Sequence, residues 1–170
     1  TFQNRIMGID EEPLVSKEVQ DMPFEILYED DELIAINKPY GYFVHRTFLN
    51  NTATEIALYK LRDQIGKKVY PVHRLDRKTS GVLVYSLNSQ MLRLLNDEFM
   101  KSNIEKEYIA MVRGYTDDEI KIDYAITNDR GKLQEAVTVL HTLQKSEIPL
   151  PHGKFQTSRY SLVRLIPQTG

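Results

Sequence analysis

The 170-residue sequence contains no cysteine and no tryptophan. Without thiols, thiolate zinc sites, iron–sulfur clusters and cysteine nucleophiles are excluded. Long apolar runs are missing too. The longest, Gly81–Leu87, falls far short of the roughly 20 residues a helix needs to cross a bilayer. Thr1 to Pro13 are polar and acidic where a secretory signal would be basic and then apolar, so a cytoplasmic location is expected. His45, His73, His141 and His152 show no ligand spacing, and no metal site is expected. Gly41 and Gly66 make no phosphate-binding fingerprint, and Ser80-Gly81 lacks the Gly-x-Ser-x-Gly context of a hydrolase elbow.

What is present suits one globular domain: 41% hydrophobic and 27% charged residues, at a length that buries roughly 70% of the surface an unfolded chain exposes. The net charge of −2 hides an asymmetry. Residues 1–32 hold ten acids and two bases, a balance of −8, whereas the remainder carries +6. Within that remainder, Lys60 to Thr79 has seven bases and two acids, a local +5. Such a stretch permits a polyanionic partner despite the pI of 6.1, although a solvated charged surface is the ordinary reading of charge alone.

Residues 1–21 lack periodicity and read as an acidic, disordered arm preceding a domain over 22–170. Phe24–Tyr28 and Leu33–Asn37, separated by Glu29-Asp30-Asp31-Glu32, predict a hairpin. Thr52 and Glu55 form a capping-box pattern ahead of a helix carrying Ile56, Leu58, Leu61 and Ile65 and stopping at Gly66. Gly81–Leu87 reads as a strand buried on both faces. Ser89 is the expected cap of a second helix, with Met91, Leu94, Leu95 and Phe99 as its apolar stripe and an end near Ser102-Asn103. Strands are expected over Ile104–Arg113, Ala136–Leu143 and Tyr160–Ile166, with Lys145–Gln156 as a loop. This order predicts an α+β domain with a mixed, mostly antiparallel sheet flanked by helices.

The chemistry concentrates in the loop Pro71 to Gly81. Its single acid, Asp76, has His73, Arg74, Arg77 and Lys78 as sequence neighbours, and nearby positive charge favours a carboxylate's ionised form. An anionic carboxylate at the edge of a rigid sheet is what a covalent Asp nucleophile needs. An ordinary surface Asp–Arg ion pair would give the same local sequence. Likewise Tyr108, beside Lys106, reads blind as a cross-strand aromatic.

The run His73-Arg74-Leu75-Asp76-Arg77-Lys78-Thr79-Ser80-Gly81 resembles the His-Arg-Leu-Asp-x-x-Thr-Ser-Gly signature of RluA-type pseudouridine synthases. Asn37-Lys38-Pro39-Tyr40-Gly41-Tyr42-Phe43-Val44-His45 resembles the family's Asn-Lys-Pro-x-Gly-x-x-Val-His element. Lys106-Glu107-Tyr108-Ile109-Ala110-Met111-Val112-Arg113-Gly114 resembles its Lys-x-Tyr-x-Ala-x-Val-x-Gly strand. The short spacing from His45 to His73 is most similar to a tRNA-acting branch.

The resemblance implies an isomerase that converts uridine to pseudouridine in RNA, with tRNA as the expected substrate and rRNA as the alternative. It implies Asp76 as the catalytic residue, Arg74 as the residue filling the space of a flipped base, and Tyr108 as the stacking platform. His73, Arg77, Lys78, Lys60, Lys67 and Lys68 are then expected as RNA contacts. No cofactor is needed, because bond breaking and bond making conserve mass and redox state, and the protein is expected to act as a monomer without a membrane. A non-catalytic RNA-binding module and a nucleoside hydrolase are the competing readings. In the family a basic Arg-x-His-Gln-Ile-Arg element follows a strand like Leu162–Gly170; its absence here leads us to expect a C-terminally truncated domain.

Overall fold

In a computed structural model, the described residues are 16–45, 55–128 and 131–169, and the chain divides into two compact units, Thr1–Asp97 and Glu98–Gly170. The first unit begins with a helical turn, α1 (Lys17–Asp21), capped by the Ser16 side chain. The expected acidic arm therefore ends in an ordered turn, while its residues 1–15 lie outside the described ones.

Strands β1 (Ile26–Glu29) and β2 (Leu33–Lys38) form the expected hairpin. Its acidic turn has a specific geometry: the Asp30 carboxylate accepts the N–H groups of Glu32 and Leu33, each at 2.8 Å. These two bonds hold the carboxyl below the usual Asp range.

Helix α2 (Ala57–Ile65) follows the predicted apolar spacing and ends at Gly66, whose φ of +67° suits glycine. Its start differs from expectation. Ile56 is the N-cap and makes no side-chain capping bond, and Thr52 lies outside the described residues. The first N–H groups are satisfied by main chain instead: Ala57 donates to the Phe43 carbonyl and Leu58 to that of Val44.

After the short β3 (Tyr70–Pro71), β4 (Gly81–Ser86) takes an interior place in a four-stranded antiparallel sheet of order β1-β2-β4-β3. Leu83 and Tyr85 are wholly buried, together with Ile34 and Ile36 of β2 and Leu61 of α2. The expectation of burial on both faces is corrected here. Val82 is 58% exposed, so β4 is interior to its sheet but covered on one face at that position.

Helix α3 (Ser89–Met100) is capped by Asn88 and not by Ser89: the Asn88 side-chain oxygen accepts the Met91 N–H at 2.8 Å. It ends where expected. Ser102 adopts a φ of +57°, and the N–H groups of Ser102 and Asn103 return to the carbonyls of Phe99 and Glu98.

The second unit is built on strands β5 (Tyr108–Arg113), β6 (Glu119–Asp123), β9 (Val137–Ile148) and β10 (Ser158–Pro167), antiparallel in the order β5-β10-β9-β6. A small hairpin, β7 (Ile126–Thr127) with β8 (Leu133–Gln134), stands beside them in sequence. Val163 of β10 and Leu140 of β9 form the buried centre of the four-stranded sheet.

Two expectations are corrected in this unit. The strand expected from Ile104 starts at Tyr108. The loop expected over Lys145–Gln156 begins only after Ile148, because polar residues carry β9 onward: Lys145 pairs with Asp118 at 2.9 Å and Glu147 with Arg159 at 3.2 Å. Every strand pair between named strands is antiparallel, and the two four-stranded sheets, the β7-β8 hairpin and the helices make the α+β class expected.

Candidate active site

The loop between β3 and β4 is fixed from below. Val72 and Leu75 point into the core, each 8% exposed, and the Val84 N–H of β4 donates to His73 Nε2 at 3.1 Å. His73 is thus an acceptor that fastens the loop to its neighbouring strand, with one ring nitrogen used internally. Beside buried Leu75, Asp76 is exposed, and its own carbonyl accepts the Thr79 N–H at 3.0 Å, closing the turn that leads into β4. Among the described residues the Asp76 carboxylate makes no hydrogen bond and no ion pair, so the surface Asp–Arg pair is not formed.

The cation coupled to Asp76 comes from elsewhere in the chain. Lys38, the last residue of β2, is fully buried and donates to the carbonyls of Tyr42 at 2.9 Å, Pro39 at 3.1 Å and Arg77 at 3.4 Å. Burial pushes its pKa down to about 8, and the negative charge of Asp76 works against that fall. Three carbonyls from two sequence elements are therefore gathered on one ammonium near the candidate carboxylate. Sequence reading gave Lys38 no role. The available signal was a lysine ending an apolar strand and followed directly by proline.

Arg77 also departs from the expected role. Its guanidinium Nε donates to the Gly41 carbonyl at 3.0 Å and the group stacks 4.8 Å from the centre of the Phe43 ring. It joins the two motif loops, as His73 joins loop to strand. Arg74 and Lys78 are exposed and make no ion pair among the described residues. Lys67 pairs with Glu29 at 3.6 Å on the surface, and Lys68 lies 5.0 Å over the Tyr70 ring. Lys60 is turned inward: its ammonium is bound by the Gln20 carbonyl and faces the rings of Phe24 and Tyr42. In the second unit Tyr108 opens β5, half-buried and paired in register with Leu165 of β10.

No group of three or more potential ligands that could hold a metal occurs among the described residues, and no described helix is long and apolar enough to cross a membrane.

The family model described as RNA pseudouridylate synthase matches residues 32–170, from the hairpin through both units. The chain belongs to that family. Among curated relatives, tRNA pseudouridine synthase C of Haemophilus ducreyi is 49% identical over 159 residues, covering 88% of this chain and 65% of that protein. The protein of the same name from Pasteurella multocida is 48% identical over 160 residues, covering 88% and 66%. The chain thus spans about two thirds of the length of these relatives. Among solved structures, human RNA pseudouridylate synthase domain containing 1 superposes with a TM-score of 0.67 at 22% identity, covering 86% of this chain and 60% of that one. Human RNA pseudouridylate synthase domain containing 4 gives a TM-score of 0.63 at 26% identity, with 86% and 59% covered. The RNA pseudouridylate synthase fold is therefore shared, and the three motif segments quoted above all lie on described elements of it.

Proposed function

We propose that this chain carries the machinery of an RNA pseudouridine synthase that isomerises a uridine of tRNA, with Asp76 as the reacting carboxylate. The carrying observation is an exposed acid without a side-chain partner among the described residues, on a loop tied by Lys38, Arg77 and His73. A carboxylate without a partner is available to substrate, and a tied backbone limits the orientations it takes. Residues 22–170 are read as the catalytic domain, preceded by the acidic segment, in a monomeric cytoplasmic protein. The tRNA assignment leans on the curated relatives named tRNA pseudouridine synthase C.

The reaction breaks the N1–C1′ bond of the uridine and forms a C5–C1′ bond; N1 gains a proton and C5 loses one. Mass and redox state are unchanged, so the balance requires no cofactor. Asp76 acts by adding to C1′ or to uracil C6, or by assisting loss of the C2′ proton along a glycal route. The base must first leave its stack, at a cost of roughly a few kcal/mol. Arg74, exposed beside Asp76, fills the vacated space, and Tyr108 holds the flipped ring by stacking worth about 1–3 kcal/mol. Lys78, Lys67 and Lys68 meet phosphates and fix register without reading sequence.

The test is incubation of the purified protein with unmodified tRNA, followed by pseudouridine mapping and mass measurement. Pseudouridine at unchanged mass is expected. Binding without isomerisation would leave an RNA-binding module, and abasic product would identify a hydrolase.

A further inference from the structure

Lys60 stands on α2 and reaches back to the turn that precedes β1. Its ammonium donates to the Gln20 carbonyl and lies 3.4 Å from the Tyr42 hydroxyl oxygen. It also faces two rings, 5.2 Å from the centre of Phe24 and 5.6 Å from that of Tyr42, which themselves meet edge to face at 5.1 Å. The Phe24 main chain is held at both polar groups by Gln64, at 2.7 and 3.0 Å. The Gln20 side chain donates to Oε1 of buried Glu55 at 3.1 Å. Three segments therefore converge on Tyr42, which is 2% exposed.

The other side of Tyr42 is the candidate site. Its carbonyl takes the shortest of the three bonds from Lys38, and the same ammonium reaches the Arg77 carbonyl next to Asp76. An RNA phosphate would find the Lys60 ammonium already occupied. It would also meet acids, since Asp21, Glu55 and Asp63 line the same cavity of about 320 Å³.

We propose that Lys60 is a positioning residue: by holding the Gln20 turn against Tyr42, it fixes the carbonyl that Lys38 binds and, through Lys38 and Arg77, the backbone of the loop bearing Asp76. The effect on turnover rests on the function proposed above; the effect on loop order does not.

The experiment compares wild type with Lys60→Met, Lys60→Arg, Gln20→Pro and the Lys60→Met/Gln20→Pro pair in the full chain. Gln20→Pro removes the N–H that donates to the Ser16 carbonyl and so unseats α1. Amide exchange is read at Gly41 and Thr79, whose N–H groups bond the carbonyls of Arg77 and Asp76, with the β4 amides as the fold control. In Lys60→Met, exchange at Gly41 and Thr79 speeds up by about tenfold while β4 stays protected. Turnover falls by about tenfold to a hundredfold, as for a misplaced reacting group. RNA affinity and its salt dependence are unchanged, Lys60→Arg restores both readouts, and the double variant is no worse than Lys60→Met.

Unaltered exchange at Gly41 and Thr79 would overturn the proposal, as would equal acceleration across β4. Weakened RNA binding with a salt slope reduced by about one would also overturn it, since that marks a phosphate contact. If wild type makes no pseudouridine but the exchange pattern appears, the proposed function fails and the positioning role stands.

Discussion

Gly41 and Arg77 exchange two hydrogen bonds: the Gly41 N–H donates to the Arg77 carbonyl at 2.8 Å, and Arg77 Nε donates to the Gly41 carbonyl at 3.0 Å. The pair welds two motif loops that are 36 residues apart. Gly41 has a φ of +93°, a region side chains rarely enter, and from it the turn offers both polar groups to one partner. Arg77 completes the joint by covering the Phe43 ring, and the same carbonyl that binds Gly41 also meets Lys38.

Arg77→Lys is expected to lose this joint while keeping the charge. An ammonium on a flexible stem has no Nε–H at that place and no planar face for Phe43. Loss of a charged hydrogen bond in a half-buried setting costs about 1–2 kcal/mol, read from urea unfolding. Turnover is expected to fall further than RNA affinity. An equal fall in both would make Arg77 an RNA contact after all.

Asp76→Asn is expected to fold and to lose essentially all isomerisation. The carboxylate has no side-chain partner among the described residues, so nothing structural is removed, and its main-chain bond to Thr79 persists. Asn keeps the size but supplies no negative charge for a covalent or proton-transfer step. Turnover within about tenfold of wild type would refute the assignment.

The hairpin, α2, α3 and the main strands were legible because apolar spacing and turn residues are local signals. The start of α2 was not, because main chain from Phe43 and Val44 replaces a side-chain cap. The extension of β9 through Lys145 and Glu147 was hidden for a similar reason: cross-strand ion pairs stabilise residues with no apolar pattern. At the site, sequence showed which loop matters but not the division of labour within it. His73, Arg77 and Lys60 look like solvent-facing bases when counted as charge, yet each is committed to an internal partner that lies 11 to 40 residues away. Lys38 was overlooked because burial of a lysine is a tertiary fact.

Lys38 gives stability a pH dependence of definite sign. Its folded pKa, about 8, lies below the ordinary 10.5, so between these values the unfolded chain binds the proton more strongly and stability rises with pH. Lys60, lowered by burial, adds in the same direction. Burial raises Tyr42 and Tyr85, which oppose the trend above about pH 10, where an unfolded tyrosine ionises first. Wild type should gain about 1–2 kcal/mol over Lys38→Met between pH 8 and 9.5. Unfolding midpoints of both proteins at the two pH values check this, and a difference that narrows with pH would contradict it.

Tyr108→Phe is expected to leave the fold and RNA affinity intact. The hydroxyl makes no hydrogen bond among the described residues, so its removal strands no partner and changes stability by less than about 0.5 kcal/mol. The ring still stacks. Turnover at saturating RNA should fall, the result expected of a phenolic oxygen that takes the C5 proton late in the proposed reaction. A fully active variant would leave Tyr108 with stacking alone.

The last prediction concerns the basic stretch from Lys60 to Lys78, whose RNA footprint should be smaller than its local +5 suggests. Lys60 and Arg77 are engaged internally, and Arg62 is paired with Asp63 at 2.7 Å. Lys67 has Glu29 at 3.6 Å, a surface pair weak enough for a phosphate to displace. Lys68 lies over the Tyr70 ring with no ion pair among the described residues, and Arg74 and Lys78 stand exposed, likewise without one, on either side of Asp76. Each cation that neutralises a phosphate releases counterions, and its loss lowers the slope of log affinity against log salt by about 0.7–0.9. Lys78→Ala should therefore flatten the salt dependence of tRNA binding by that amount, whereas Arg62→Ala should leave it unchanged. The two variants remove the same formal charge, so net charge cannot explain a difference between them. Equal flattening in both would mean that the RNA responds to the summed charge of the stretch, and the phosphate contact assigned to Lys78 would be wrong.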